Sequence, residues 1–407
     1  MSYTILPGGH VTSPAGFLAG SVATGVKEDK DDLVILYSET PTTSAAVFTQ
    51  NRAAAAPVQI SRDVFQGGDL RAVLVNSGNA NACTGHKGME DALVTQQKVA
   101  EMLNLAPSQV ALASTGVIGV PLPMEKIMPG IPQVIGVMNE GGGSRAAEGI
   151  MTTDTSRKEM AVTTTIDGKS VTIAGMAKGS GMINPNMATM LGFVTTDAVV
   201  DPAYLHQIFM EIVEDTYNMI TVDGDTSTND TVMVLAGGKA GNQVINENHP
   251  EKEKFREALF AVNKNLAISI VKDGEGATKL MEAVTKGFAT REDARLAAKA
   301  VLNSNLVKTA IFGEDGNWGR MICSLGYSGA DFSLEDVALV LANSLGQSVK
   351  VLQKGLPLTY DEDEVAAVLK DKHIIMEITA ASGEASARGW GCDLSYDYVK
   401  INGAYRS

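Results

Sequence analysis

The chain is predicted to fold as a layered α/β protein in which strands and helices do not alternate strictly. Three features point there. Apolar runs of strand length, such as those in LRAVLVNSGNA and TVMVLAGG, recur between capped amphipathic segments of helical period. Two strand-like runs, AVTTTI and KSVTIAGMAKG, follow each other across Asp167-Gly168 with no helix between, so the sheet is not built of βαβ units alone. The 407 residues exceed what one small core holds, and 41 glycines against 5% aromatic residues favour tight turns over bulky packing.

LRAVLVNSGNA (70–80) reads as a buried strand running into a polar turn. GMEDALVTQQKVAEMLNL (88–105) follows as a helix with Met89, Leu93, Ala100 and Leu103 on one face. VALASTGVIGV (110–120) is a second strand, expected to break at a Thr115-Gly116 turn, and NEGGGSRAAEG (139–149) a loop entering a short helix. Residues 161–179 form a hairpin with Asp167-Gly168 at its tip. MLGFVTTDAVV (190–200) is a strand. In DPAYLHQIFMEIVEDTY (201–217), Asp201 caps a helix and Pro202 fits its first turn, where the missing N–H costs nothing. That helix buries Leu205, Ile208, Phe209 and Ile212. A strand at 231–238 and helices around 253–267 and 290–303 complete the pattern, the last opened by the capping pair Thr290 and Asp293.

Charge and composition exclude several functions. A formal net charge of −14 argues against nucleic acid and anionic membrane as main partners. The three cysteines, Cys83, Cys323 and Cys392, lie far apart without a CxxC pair, which suits a reducing compartment and neither a disulfide framework nor a cysteine zinc site. No basic region leads into an apolar core at the N-terminus, and the longest apolar stretch, VIGVPLPMEKIMPGIPQVIGV, is broken by four prolines. A cytoplasmic protein is expected. The histidines lack metal-ligand spacing, so no metal is expected. GKS at 168–170 lacks the upstream glycine of a phosphate loop, no GxGxxG follows a strand, and no GxSxG elbow occurs. DGDTSTND (223–230) matches a calcium loop for three positions only, and reads as a loop rich in side-chain-to-backbone hydrogen bonds.

The chemistry is sought in KGSGMINPNMATMLGFVTTDA (178–198), which runs an amide-rich loop directly into a strand. A threonine hydroxyl is a weak nucleophile near neutral pH and needs a base beside it. Its own α-amino group, titrating at about 7.7–8.0, can serve if the preceding peptide bond is cut. Ala188-Thr189 suits self-cleavage, because a small residue precedes the threonine and the Gly/Pro/Asn loop tolerates a strained carbonyl. Taken alone, Thr189 reads rather as an ordinary residue opening a strand after a glycine loop, and the STG of ASTGVIG as a tight turn.

Together these residues resemble the ornithine acetyltransferase (glutamate N-acetyltransferase) family. The resemblance runs end to end, through NSGNANACTG, ASTGVIG, MTTDT, AKGSGMINPNMATML, DGEGATK, NWGR and DLSYDYVKING. It implies a layered α/β sandwich with a self-processed N-terminal threonine nucleophile, cut between Ala188 and Thr189 into an α chain (1–188) and a β chain (189–407). Thr189 would accept the acetyl group, while Thr115 and Gly116 form the oxyanion hole. Thr152, Lys178, Thr189, Glu275, Asn402 and Ser407 match substrate-binding positions, which requires the tail to fold back over the site. The implied reaction moves an acetyl group from N2-acetylornithine to glutamate in arginine biosynthesis, within an α2β2 heterotetramer and without a cofactor. Whether acetyl-CoA also serves as donor stays open, as does the role of Glu275, which could hold the ornithine ammonium or orient the amino group. The alternatives are a self-processed amidase or aminopeptidase, which would pass its acyl group to water, and a binding protein that never cleaves.

Overall fold

A computed structural model describes residues 2–67, 69–184 and 190–403. Its strands are β1 (Tyr3–Ile5), β2 (Phe17–Val22), β3 (Leu33–Phe48), β4 (Leu70–Asn79), β5 (Val110–Val117), β6 (Lys158–Ile166), β7 (Lys169–Lys178), β8 (Leu191–Thr196), β9 (Ile220–Thr221), β10 (Thr231–Ala236), β11 (Leu280–Phe288), β12 (Ala338–Asn343), β13 (Ser348–Gln353), β14 (Leu356–Pro357), β15 (His373–Thr379) and β16 (Ala385–Cys392). The helices are α1 (Ala56–Gly67), α2 (Gly85–Leu103), α3 (Met124–Val137), α4 (Gly143–Gly149), α5 (Pro202–Asp215), α6 (Lys252–Lys272), α7 (Arg291–Asn303), α8 (Asn305–Phe312), α9 (Trp318–Gly326), α10 (Glu362–Leu369) and α11 (Tyr396–Asn402). Among the described residues the strands make a nine-stranded sheet, ordered β1-β6-β7-β8-β10-β3-β4-β5 with β2 against β3. A seven-stranded sheet is ordered β14-β13-β12-β15-β11-β16-β9.

The layers follow from the two-residue period of the strands. β3 is 16 residues long; its first half pairs with β2 and β4, its second half with β10. The two halves of the large sheet face each other. Val34, Leu36, Val73 and Val75 from one share a core with Met176, Phe193, Met233 and Leu235 from the other. Alternate residues point outward, because side chains change face at every step. Leu33, Ile35 and Leu74 meet Val99 of α2 and Ile131 of α3. Val194, Val232 and Val234 meet Phe209 of α5 and Leu266 of α6, in a core that continues into the second sheet and α7. Helix, strand, strand and helix layers result. Pairing is mixed, parallel for β4–β5 and β8–β10 but antiparallel for β6–β7 and β7–β8, so the expected lack of strict βαβ alternation is found.

Local punctuation works as read. Asp167 (φ 51°) and Gly168 (φ 71°) both adopt the left-handed conformation that a two-residue hairpin turn needs. The Asp201 carboxylate accepts the Tyr204 N–H at 3.0 Å, and the Thr290 hydroxyl accepts the Asp293 N–H at 3.1 Å. No helix among the described residues is long and apolar enough to cross a membrane.

Two expectations are corrected. β5 does not break at Thr115-Gly116 but runs through it to Val117, still paired with β4 as Ser77 with Thr115 and Gly78 with Gly116. Gly116 makes this approach: its φ is 133°, and a Cβ there would lie 2.3 Å from the Gly78 carbonyl carbon and 2.5 Å from the Asn79 nitrogen. In α2, Leu93 points to solvent at 48% exposure, and the buried face instead includes Asp91, Thr95 and Gln96. The Gln96 amide donates to the Pro107 and Val110 carbonyls at 2.9 and 2.8 Å, so polar groups satisfied at the start of β5 fix the rotation of the helix.

Candidate active site

β7 and β8 are antiparallel neighbours with Lys178 opposite Leu191, and the chain between them leaves and re-enters the sheet at one place. Ala188 and Thr189, the predicted cleavage pair, lie outside the described residues, as does Ser407. Their described neighbour Met190 is held by its carbonyl, which accepts the Thr231 N–H at 2.9 Å. Beside Met190 lies a cavity of about 150 Å³, walled by Thr115, Gly116, Thr152, Lys178, Glu275, Asn402 and the segment 227–230. Five parts of the fold deliver these groups. Thr115 and Gly116 lie just before the end of β5, Thr152 follows α4, Lys178 ends β7, Glu275 turns from α6 toward β11, and Asn402 ends α11.

Lys178 is the buried cation of the site. Its Nζ donates to Thr152 Oγ1 at 2.7 Å and to Thr115 Oγ1 at 3.2 Å, and lies 3.8 Å from Asp154 Oδ2. An ammonium has three donors and no acceptor, so both hydroxyls must accept from it. Each then keeps its own proton for another partner. Burial pushes Lys178 below the ordinary lysine range, opposed chiefly by the charge of Asp154. Burial also works against the Asp154 charge, but Lys178 and Lys158 outweigh it and hold that carboxyl well below the usual range.

Across the cavity, Glu275 anchors its N–H on the Ser180 carbonyl at 2.8 Å and accepts from Asn402 Nδ2 on Oε2 at 2.8 Å. A Cβ on Gly181 would fall 2.4 Å from that carboxylate, so glycine there is what lets Glu275 come in.

The loop leading to residue 185 is tied down from one side. Asp223 accepts the N–H groups of Met182 and Ile183 at 2.6 and 2.9 Å, and the Thr226 hydroxyl donates to the Asn184 carbonyl at 3.0 Å. Burial raises the Asp223 carboxyl, against the pull of these N–H groups. DGDTSTND is thus the hydrogen-bonding loop that its composition suggested, and it also forms a wall of the site. Asn229 links that wall to the opposite half of the sheet, donating to the Ala80 and Ser114 carbonyls at 2.6 and 2.9 Å.

Residues 18–407 match the family model described as the ArgJ family. The chain belongs to the ArgJ family. Over 399 residues it is 52% identical to the arginine biosynthesis bifunctional protein ArgJ of Caldanaerobacter subterraneus subsp. tengcongensis, covering 98% of this chain and 99% of that one. The ArgJ protein of Symbiobacterium thermophilum is 51% identical over 402 residues, with 98% and 99% covered. The crystal structure of the ArgJ bifunctional protein of Bacillus halodurans superposes with a TM-score of 0.51 at 43% identity, covering 53% of this chain and 100% of that one.

Of the residues expected to form the site in this ArgJ family member, Thr115, Gly116, Thr152, Lys178, Glu275 and Asn402 share the one cavity. Asn402 reaches it because α11 returns the chain to the cavity; the expected fold-back of the tail through Ser407 lies outside the described residues. Sequence reasoning assigned no role to Asp154, Asp223, Asn229 or Asp230. The signal was present in MTTDT and DGDTSTND, where buried acidic and amide residues crowd a short segment.

Proposed function

We propose that this ArgJ family chain is an acetyltransferase of arginine biosynthesis that moves an acetyl group from N2-acetylornithine to glutamate through an acetyl-Thr189 intermediate. The observation that carries the proposal is the pair of hydrogen bonds from buried Lys178 to Thr115 and Thr152. Thr115 must accept from the lysine, which frees its own O–H to donate into the cavity, beside Gly116 and next to the strand that Thr189 precedes.

The precursor cuts itself between Ala188 and Thr189, giving chains of 188 and 219 residues (407 − 188). The interleaving of the sheet keeps them together. β8 and β10 of the later half sit between β7 and β3 of the earlier half, so a cut at 188 leaves every ladder unbroken. The complete Bacillus halodurans chain corresponds to 53% of this one, a length that supports processing near the middle. Two such pairs form an α2β2 heterotetramer in the cytoplasm.

In the acylation step, the Thr189 α-amino group takes the hydroxyl proton and Oγ attacks the acetyl carbonyl of N2-acetylornithine. The Thr115 O–H and the Gly116 N–H receive the negative charge on oxygen. The carbon–nitrogen bond breaks, the α-ammonium returns its proton to the leaving amine, and ornithine departs. The glutamate amine then attacks the ester, releasing N-acetylglutamate and the threonine hydroxyl. Lys178 and Thr152 hold the α-carboxylate common to both amino acids. Glu275 takes the ornithine side-chain ammonium, and the Asn402 amide serves the side-chain carboxylate of glutamate.

Incubation with N2-acetylornithine, with and without glutamate, tests the function. Acetylglutamate formation that depends on glutamate is expected. Release of acetate and ornithine at an equal rate without glutamate would make the chain an amidase instead.

A further inference from the structure

Beside the cavity, next to Lys178, lie three buried charges that the reaction above leaves unused. Asp154 and Lys158 have side chains 0% and 1% exposed, and Asp273 is 7% exposed. Lys158 Nζ bridges Asp154 Oδ1 and Asp273 Oδ2, each at 2.6 Å, and also donates to the Ser156 carbonyl at 3.2 Å. Asp154 gathers more. Its Oδ1 also accepts the Gly179 N–H at 2.7 Å, its Oδ2 accepts the Thr152 N–H at 3.0 Å, and Lys178 Nζ stands 3.8 Å away.

We infer, given the acetyl-transfer function proposed above, that Asp154 is a positioning residue that holds the Lys178 ammonium against Thr115 and Thr152 and fixes the start of the glycine loop. The charge balance singles it out. Lys178, Lys158, Asp154 and Asp273 sum to zero, and a buried charge without a partner is strongly disfavoured. If Asp154 loses its charge, Lys158 retains Asp273 and the Ser156 carbonyl, while Lys178 loses its nearest counter-charge. The other groups acting on Lys178 are the carboxylates of Glu275 and Asp230, which favour its ammonium, and Lys158, which opposes it. Lys27, which donates to the Gly149 and Met151 carbonyls, is a further cation near enough to interact with it. Asp154 is the strongest of the supporting charges. Its backbone contacts place the same carboxylate on both sides of the site, at Thr152 and at Gly179, where the loop toward residue 188 departs.

The ammonium of Lys178 binds the substrate carboxylate, so activity falls as pH rises through its pKa. Removing the Asp154 charge lowers that pKa and moves the alkaline limb of activity to lower pH. A purely structural role would reduce activity without moving the limb.

The test is the pH profile of kcat/KM for N2-acetylornithine, over about pH 6 to 10, for processed wild-type, Asp154→Asn and Asp154→Glu enzymes. In Asp154→Asn the alkaline limb should move down by at least about one unit, a roughly tenfold loss at the alkaline end carried mainly by KM. Asp154→Glu should return the limb toward wild type. A limb that stays at the wild-type position in Asp154→Asn overturns the inference. Should that variant not fold, Asp273→Asn makes Asp154 serve Lys158 alone and should shift the limb in the same direction by less; an unmoved limb again overturns it. Trace labelling of Lys178 with acetic anhydride against pH, read by peptide mass spectrometry, follows the same ammonium without substrate. A lower labelling midpoint in Asp154→Asn supports the role of Asp154 even if wild-type enzyme transfers no acetyl group, an outcome that would count against the proposed function alone. An unchanged midpoint refutes the role of Asp154 whatever the activity.

Discussion

Thr115→Val separates the chemistry of the cavity from its architecture. The substitution keeps the β-branched shape favoured in a strand and removes only the hydroxyl. On the stability side the loss is one hydrogen bond of 3.2 Å from Lys178, which keeps Thr152 at 2.7 Å and Asp154 at 3.8 Å. That is worth about 1 kcal/mol. On the rate side the proposed mechanism makes Thr115 one of two oxyanion donors, and loss of such a donor costs roughly 10²–10³ in kcat, or about 2.7–4 kcal/mol. The rate term is therefore about three times the stability term, and it should appear in kcat more than in KM because the charge develops only in the transition state. The assay is steady-state acetyl transfer from N2-acetylornithine to glutamate with fully processed enzyme, with thermal unfolding measured on the same preparation. Thr115→Ser restores a hydroxyl at the same place and should recover most of the loss. A processed, folded Thr115→Val enzyme with kcat within about threefold of wild type would refute the oxyanion role.

Gly116→Ala should destabilise the protein by about 2 kcal/mol or more, since its Cβ would meet the backbone of β4 at 2.3 and 2.5 Å; unchanged thermal unfolding would contradict this. Asp223→Ala removes the acceptor for the Met182 and Ile183 N–H groups and should slow precursor processing at least about tenfold in a time course on denaturing gels. Because burial raises the Asp223 carboxyl, its protonation begins at a higher pH than for an ordinary carboxylate. Wild-type processing should therefore slow as pH falls through that raised value, and Asp223→Asn should flatten the dependence; parallel profiles would rule the carboxylate out. Glu275→Gln should raise KM for N2-acetylornithine roughly tenfold while leaving that for glutamate unchanged or lower, and an equal rise for both substrates would remove Glu275 from side-chain recognition.

What was legible in the sequence was what short-range chemistry decides. Asp167-Gly168 marks its hairpin because both residues accept positive φ, and Asp201-Pro202 marks the start of α5 through a cap three residues long. The rotation of α2 was not legible. Leu93 has the spacing of a core residue, but Gln96 is drawn inward by the carbonyls of Pro107 and Val110, at the far end of the connection to β5. Gly116 looked like a turn for a similar reason, since its conformation serves a neighbouring strand 38 residues away in sequence. In the site, Thr115 and Lys178 stand in motifs of their own. Asp154 draws its meaning from Gly179 and Lys178, and Asp223 from Met182 and Ile183, partners that only the folded sheet brings close.

The central claim is that Thr189 carries the acetyl group between the two amino acids. Intact-mass analysis of processed enzyme incubated with N2-acetylornithine alone tests it most directly. A gain of one acetyl group on the 219-residue chain (407 − 188) is expected, mapped to its first residue, Thr189, and discharged when glutamate is added. An enzyme that transfers acetyl to glutamate but shows no such adduct, with intersecting double-reciprocal lines in place of parallel ones, would contradict it.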